Sequence, residues 1–244
     1  MSENSETVTA GLRALVLPRR RLLLVLATAL LGLVTAIGLA SLLAPEQRTF
    51  AGIAPLTQLV LSVLTPFATV LLTHDVRESG PDGRASLTGR WAAAAIYGVL
   101  VGAYGAVVTA LAVSMVISSG AQLAADPWAG TGSAVLGSVV SQLIPVGVGC
   151  GAGLLIARPL RAQLATVVAP LAFSFVLARF TPAGTTDWVT PLAAADHLLP
   201  GPMTALTWVQ WVVTAALWVV LPNLAGARRL RRPAAPVSRS GAAG

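Results

Sequence analysis

Lysine is absent from this chain of 244 residues, and cysteine occurs once, as Cys150. Because a phosphate-binding G-x-x-x-x-G-K-[ST] loop requires lysine, the chain cannot hydrolyse ATP through such a loop. A single cysteine forms no internal disulfide, and a position between Gly149 and Gly151 is typical of a small packing residue. No G-x-S-x-G motif surrounds any serine. These absences predict a protein that is not itself an enzyme and that binds no cofactor or metal.

Charged side chains are scarce, at 10% of the chain against about 25% in soluble domains. An uncharged run of about 18 residues or more is typical of a helix that crosses a membrane. The alternating pattern of a β-barrel is missing, so helices are left to satisfy the backbone in lipid. The sequence therefore predicts an all-α integral membrane protein with six transmembrane helices. The predicted spans are Leu22–Leu43, Ile53–Thr73, Trp91–Ile117, Ser133–Ala157, Ala162–Ala178 and Thr207–Ala227.

The arginines indicate how these spans are oriented. With the N-terminus and the C-terminus both in the cytoplasm, fourteen arginines face inward and only Arg48 and Arg179 face outward. This asymmetry follows the positive-inside rule. Because the arginines flank spans and form no basic domain, they indicate no nucleic-acid partner. Their exclusive use in place of lysine suggests a GC-rich bacterial genome, so the predicted location is a bacterial cell membrane. His74 and His197 then fall on opposite faces of the membrane and cannot share a metal ion.

Carboxylates are missing from the interior of every predicted span. Carriers driven by protons or sodium usually hold a buried carboxylate near the middle of the bilayer, where it neutralises the ion. The absence makes a secondary transporter a weaker hypothesis without excluding it.

The loop 74–90, between the second and third spans, gathers charges of both signs. A mixed pattern suits a docking surface, because both signs together set register and partner choice. A solvated connector is the alternative. The candidate docking residues are Asp75, Arg77, Glu78, Asp82 and Arg84.

Polar residues form a stripe along the second span, with spacings that place them on one side of a helix. Such a stripe faces protein or water rather than lipid. It either lines a substrate path or packs against another helix, with each hydroxyl bonded to its own backbone. The candidate path residues are Gln58, Ser62, Thr65 and Thr69. The glycines of "GVLVG" and "GVGCGAG" in the third and fourth spans predict close packing between helices of this chain.

Four motifs, taken in order, resemble those of an ABC type-2 exporter permease of the actinobacterial kind. The segment "TVTAGLRALVLPRRR" can form an amphipathic helix before the first span, and the charged stretch "THDVRESGPDGRASLTGRW" follows the second span. The fourth span ends in "GVGCGAGLLIARPLRAQLATVVAPLAF", which continues into the fifth. The segment "TPLAAADHLLPGPMTAL" precedes the sixth span, and "GARRLRR" closes it. The resemblance covers nearly the whole chain.

The resemblance implies a permease that pairs with a second copy and with two cytoplasmic ATP-binding subunits. It places the docking of the ATPase on the loop around Asp75 and Glu78, and it makes the second and fifth spans the lining of a path. The outer segment Thr185–Met203 would dip into the membrane as a gate or form an ordered loop. The implied organisation is a cytoplasmic segment 1–21, a membrane domain 22–227 and a basic tail 228–244. A non-transporting membrane anchor, or a regulatory or immunity protein, is the alternative.

Overall fold

The structure is a computed structural model, and it describes residues 2–16, 18–79, 87–121, 124–182, 184–191, 193, 198–199 and 203–231. Within these residues there is no strand, and most of the chain is helical. A short 3-10 turn at Pro45–Gln47 joins the first two long helices. The helices are α1 (Ser2–Val16), α2 (Arg19–Leu42), α3 (Phe50–Glu78), α4 (Leu87–Ser118), α5 (Thr131–Ser141), α6 (Leu143–Leu155), α7 (Pro159–Phe180), α8 (Thr186–Val189), α9 (Ala205–Ala215) and α10 (Leu221–Arg231).

Six helical segments among the described residues are long and apolar enough to cross a membrane. They coincide with the six predicted runs, and their ends extend beyond the predicted ends by a few residues in most cases. The fourth segment comprises α5 and α6, and the sixth runs from α9 to α10. The prediction of an all-helical protein with six helices of membrane-spanning length and composition is therefore confirmed. The side of the membrane on which each terminus lies stays a prediction.

Three of the six segments form the inside of the bundle. In the most apolar 18-residue stretch of each segment, the share of residues buried inside the protein is 56% for α3, 44% for α4 and 61% for the fourth segment. The corresponding shares are 17% in α2, 11% in α7 and 17% in the sixth segment. The exposed side chains of these outer helices are largely Leu, Val and Phe, which is the surface that lipid tails require.

Helix α3 is longer than the sequence predicts. Its predicted end is Thr73, but the helix continues to Glu78, and Ser79 follows in a turn. No glycine or proline interrupts the chain between these positions, and the first such residues are Gly80 and Pro81. The first part of the predicted loop 74–90 is therefore helical, and its charges project from the last turn of α3.

Two spans contain irregular turns that the apolar pattern does not reveal, and both lie just before a proline. A proline supplies no N–H to the carbonyl four residues earlier and its ring crowds that carbonyl. The fourth span breaks at Gln142, between α5 and α6, three residues before Pro145. In the sixth span, Ala216–Val220 form a wider π-helical turn that ends two residues before Pro222.

The glycines of α6 give this helix two close contact faces. Gly149 and Gly153 lie against α3, and a Cβ at Gly153 would come within 2.5 Å of the carbonyl oxygen of Val70. Gly147 and Gly151 lie on the other face, against the sixth span. The prediction that these glycines pack helices of the same chain together is confirmed.

Helices run across both boundaries of the predicted organisation, near the two ends of the chain. Helix α1 is present and packs on the bundle, with Leu15 buried and Arg13 exposed. Helix α2 begins at Arg19, so the predicted boundary at residue 21 falls inside a helix. Helix α10 continues to Arg231, so the first four residues of the predicted tail 228–244 are helical, and the division of the chain into three parts stays a prediction. Residues 232–244 of that tail lie outside the described residues.

Candidate functional site: a cavity among three spans

A cavity of about 420 Å³ lies between α3, the α5–α6 segment and α7. Pockets that bind small molecules typically enclose about 300–1,000 Å³, so this one has the volume of a ligand site. Its wall is mostly apolar, and none of the described residues that line it is charged. The polar side chains on the wall are Gln58, Ser62, Ser141, Gln142 and Thr166.

Two glutamines form the most extensive polar contact at this cavity. The side-chain nitrogen of Gln142 donates to the side-chain oxygen of Gln58 at 2.8 Å and to its backbone carbonyl at 2.9 Å. The side-chain nitrogen of Gln58 in turn donates to the carbonyl of Gly102 in α4, at 3.0 Å. Gln142 is fully buried, and its side-chain oxygen has no hydrogen-bond partner among the described residues. The pair therefore joins three helices and leaves one buried acceptor unused.

The predicted polar stripe of α3 divides into two parts. Gln58 and Ser62 lie on the cavity wall. Thr65 is buried and donates to the carbonyl of Leu61 in its own helix, at 2.7 Å. Thr69 lies in the contact with α6, where its hydroxyl meets the carbonyl of Val146 at 3.1 Å. The structure thus brings only the first half of the stripe to the cavity, and a transport role for any of the four stays a prediction.

An ionic cluster joins four helices at the end of α3. We call Arg21, Asp75 and Arg90 the Asp75 cluster. The guanidinium of Arg21 donates to the Asp75 carboxylate and to the carbonyl of Ala14 in α1. It also donates to the carbonyl of Leu71 at 3.0 Å, while Arg90 lies 3.9 Å from the same carboxylate. The cluster therefore connects the end of α3 to α1, α2 and α4.

The other candidate docking residues do not belong to the Asp75 cluster. Arg77 is half-buried in the last turn of α3, and the side chain of Glu78 is 70% exposed. His74 is buried and bonds the carbonyl of Ala157, between α6 and α7, at 2.8 Å. Among the described residues, Glu78 is thus the most accessible charge of the predicted docking set. The two other candidates, Asp82 and Arg84, lie outside the described residues.

The outer segment between the fifth and sixth spans is described only in part. Its short helix α8 lies against the sixth span, where the indole of Trp218 donates to the carbonyl of Val189 at 2.7 Å. Leu198 and Leu199 are buried, and Leu198 packs on α5 at Gly137. Residues 192, 194–197 and 200–202 of this segment lie outside the described residues. Its predicted entry into the membrane stays a prediction.

Sequence reasoning missed three residues that organise the site. Gln142 faces Gln58, Arg21 neutralises Asp75, and Asn223 joins the sixth span to α4 and α6. The oxygen of Asn223 accepts from the indole of Trp91 at 3.0 Å, and its nitrogen donates to the carbonyl of Gly147 at 2.8 Å. Amide side chains inside spans are a usable signal, because lipid leaves them no partner and each must find one in the protein.

The described residues contain no group of three or more His, Cys, Asp or Glu side chains that could hold a metal ion. What the fold and the site define is a helical, multi-pass membrane protein with a cavity between two inner spans and one outer span, lined by no charged residue among those described. Comparison with protein-family models, with curated proteins and with solved structures gives no match to this chain.

Proposed function

We propose that this protein is the membrane-spanning permease subunit of an ATP-driven exporter of the ABC type-2 kind that its motifs resemble. The observation that carries the proposal is the cavity between α3, α5–α6 and α7, which has the volume of a ligand site and lies within membrane-spanning helices. Two of the four candidate path residues, Gln58 and Ser62, line it. The fifth span, which the resemblance assigns to the path, forms one of its walls through α7.

The energy for transport would come from a separate subunit. No Asp or Glu lies inside a predicted span, so the chain lacks the buried carboxylate that ion-coupled carriers usually use. The exposed Glu78 and the half-buried Arg77 at the end of α3 offer a mixed-charge surface to a partner. Two ATP-binding subunits and a second permease copy, in a bacterial cell membrane, complete the proposed assembly.

Helix α3 connects the proposed docking surface with the cavity. It contains 29 residues and is therefore about 43 Å long at 1.5 Å per residue. Glu78 lies at one end of this helix, and Gln58 and Ser62 lie farther along it on the cavity wall. Because the Asp75 cluster ties the same end to three other helices, a push on this end moves several helices together. The outer segment beyond α7 then serves as the gate, since Pro191 lies on the cavity wall.

The test is co-purification followed by a measurement of ATP hydrolysis. The protein is solubilised from its own membranes, and the ATP-binding subunit that it retains is transferred with it into lipid nanodiscs. Glu78→Arg should lower the ATPase rate of the complex by about tenfold, since docking depends on the charge pattern that this change reverses. Glu46→Arg is the matched control, because Glu46 is exposed and lies near the opposite end of α3.

Two results would contradict the proposal. Failure to retain any ATP-binding subunit would favour the non-transporting anchor or regulator. Retention of a subunit whose ATPase rate is equal in the two variants would remove the docking role from the end of α3.

A further inference from the structure

The same short motif occurs on each of the three helices that line the cavity. In every case a serine or threonine precedes a proline by four residues, and both members of each pair lie on the cavity wall. The pairs are Ser62 with Pro66 in α3, Ser141 with Pro145 at the α5–α6 break, and Thr166 with Pro170 in α7. Other helix-interior prolines that the structure describes, Pro55 and Pro222, follow alanine and tryptophan at that spacing and do not line the cavity.

Each of these prolines removes one hydrogen-bond donor from the wall. In a regular helix the N–H of a residue donates to the carbonyl four residues earlier, and proline has no N–H. The carbonyls that lose this donor belong to the three hydroxyl residues, Ser62, Ser141 and Thr166. In lipid, a carbonyl without a donor must be satisfied by a neighbouring helix, a side chain, a water molecule or a ligand.

The hydroxyl groups of the same residues do not supply the missing bond. Each donates its hydrogen to the carbonyl three residues earlier in the chain. The distances are 2.6 Å from Ser62 to Leu59, 3.1 Å from Ser141 to Ser138 and 2.7 Å from Thr166 to Gln163. What each hydroxyl keeps available is its oxygen lone pairs, which accept hydrogen bonds.

The two glutamines offer the cavity no free hydrogen-bond donor. Both hydrogens of the Gln142 amide are directed at oxygens of Gln58. The amide nitrogen of Gln58 lies against α4, at Gly102 and Gly105. The side-chain oxygen of Gln142 is buried and has no partner among the described residues. The polar groups that remain for a ligand are therefore hydrogen-bond acceptors, namely the carbonyl and hydroxyl oxygens of Ser62, Ser141 and Thr166.

We propose that the cavity binds an uncharged amphipathic molecule that has an apolar body and a hydroxyl or amide N–H as donor. Because the cavity offers acceptors and no free donor, it favours a ligand that donates a hydrogen bond. The apolar side chains of residues such as Val63, Val148 and Leu171 pack against the apolar part of that ligand. A charged headgroup is disfavoured because no described lining residue would neutralise it, and burying an unpaired charge is costly. The binding of such a molecule does not depend on the proposed function. Only its identification as the transported substrate rests on that function.

Photolabelling of the protein in lipid nanodiscs tests this selectivity. Three twelve-carbon probes carry the same photoreactive diazirine on the chain and differ at one end, which is an alcohol, its methyl ether or a carboxylate. The alcohol should label peptides of α3, α6 and α7 about three- to twentyfold more than the ether, the range of one hydrogen bond in a membrane. The carboxylate should label them no more than the ether does. Equal labelling by the alcohol and the ether would overturn the proposal.

A proline substitution tests the source of the selectivity. Pro170→Ala restores an N–H to the carbonyl of Thr166 and so should lower the preference for the alcohol over the ether. The matched control is Pro55→Ala, the same change in α3 away from the cavity, which should leave the preference unchanged. If Pro170→Ala does not fold, Thr166→Val is used in its place, because it removes the acceptor oxygen of the Thr166 hydroxyl. An undiminished preference in both cavity variants would contradict the acceptor argument.

Competition identifies where the ligand comes from. Diacylglycerol included in the nanodisc presents a hydroxyl from a lipid, whereas an alkyl amide added from water presents an N–H from a free molecule. Suppression of the alcohol label by the first identifies a membrane lipid, and suppression by the second identifies a free amphiphile. Absence of suppression by either would contradict the proposal. Selective labelling without ATPase coupling would retain the ligand site while rejecting the exporter function, so the two proposals fail separately.

Discussion

Asp75 has a structural role in addition to its predicted place in a docking surface. Its carboxylate pairs with Arg21, whose side chain is only 5% exposed, and lies near Arg90, while Asp75 itself is 43% exposed. A buried guanidinium requires an anion and several acceptors, and here the acceptors include two backbone carbonyls. Reversal of the charge at Asp75 would therefore affect folding as well as any docking.

Asp75→Asn should destabilise the protein by about 1–2 kcal/mol, because it removes a charged hydrogen-bond partner from a buried arginine at a partly exposed site. The measurement is unfolding in mixed micelles followed by circular dichroism. Glu78→Gln is the control, and it should change the unfolding free energy by less than about 0.5 kcal/mol since Glu78 is largely exposed. Equal destabilisation by the two changes would show that the Asp75 cluster does not stabilise the fold.

At the scale of the helix, α6 is distinguished by the small size of its side chains. Its glycines let the backbone approach α3 and the sixth span so closely that side chains reach across to main-chain carbonyls. Thr69 and Thr73 of α3 bond the carbonyls of Val146 and Cys150 in this way, at 3.1 and 3.0 Å. The contact between α3 and α6 thus combines close packing with hydrogen bonds, the two interactions that hold helices together in lipid.

Gly153→Ala should destabilise the protein by about 1–3 kcal/mol, the cost of inserting an extra methyl group into a packed contact. Its Cβ would meet the backbone of Val70 at 2.5 Å, and a backbone atom cannot move aside as a side chain does. Gly38→Ala in α2 is the matched control, because nothing lies within 4 Å of its added Cβ. Alanine there should be neutral or stabilising, given its higher helix propensity. The unfolding free energies of the two variants check the prediction, and equal values would contradict it.

At the scale of the molecule, the bundle has two distinct ends. The N–H of Phe50 at the start of α3 donates to the carbonyl of Pro127 at 2.9 Å, so the connection between α4 and α5 lies at that end. Ser79 follows the other end of the same helix. Since α3 is long enough and apolar enough to cross a membrane, we predict that these two places lie on opposite membrane faces.

Cysteines introduced at Ser79 and Ala129, both exposed, should therefore be labelled from opposite sides of the membrane by an impermeant maleimide. The arginine asymmetry predicts that Ser79→Cys reacts only from the cytoplasmic side. A cysteine at Ser238 in the tail is expected to react from that same side. Because Cys150 is buried, the native chain serves as the unlabelled control. Labelling of the Ser79 and Ala129 positions from one side would contradict the six-span arrangement.

The amino-acid sequence was sufficient for the membrane class and for the six spans. Hydropathy is a local and additive property, so a run such as Leu22–Leu43 indicates a span whatever it packs against. The polar stripe of α3 was also visible, since helical periodicity depends on spacing alone. Local patterns failed at two places. Helix α3 continues past its apolar run to Glu78, and the fourth span breaks at Gln142 within its apolar run.

Partners of the polar side chains depended on how the helices pack. Gln58 and Gln142 are 84 residues apart in the chain, and Arg21 and Asp75 are 54 apart. No periodicity within one helix specifies which face of another helix it will meet. That choice is made by the shapes of the packed surfaces, here by the two glycine faces of α6. The convergence of three serine- or threonine-containing proline motifs on one cavity is therefore a property of the tertiary structure, although each motif is plain in the sequence.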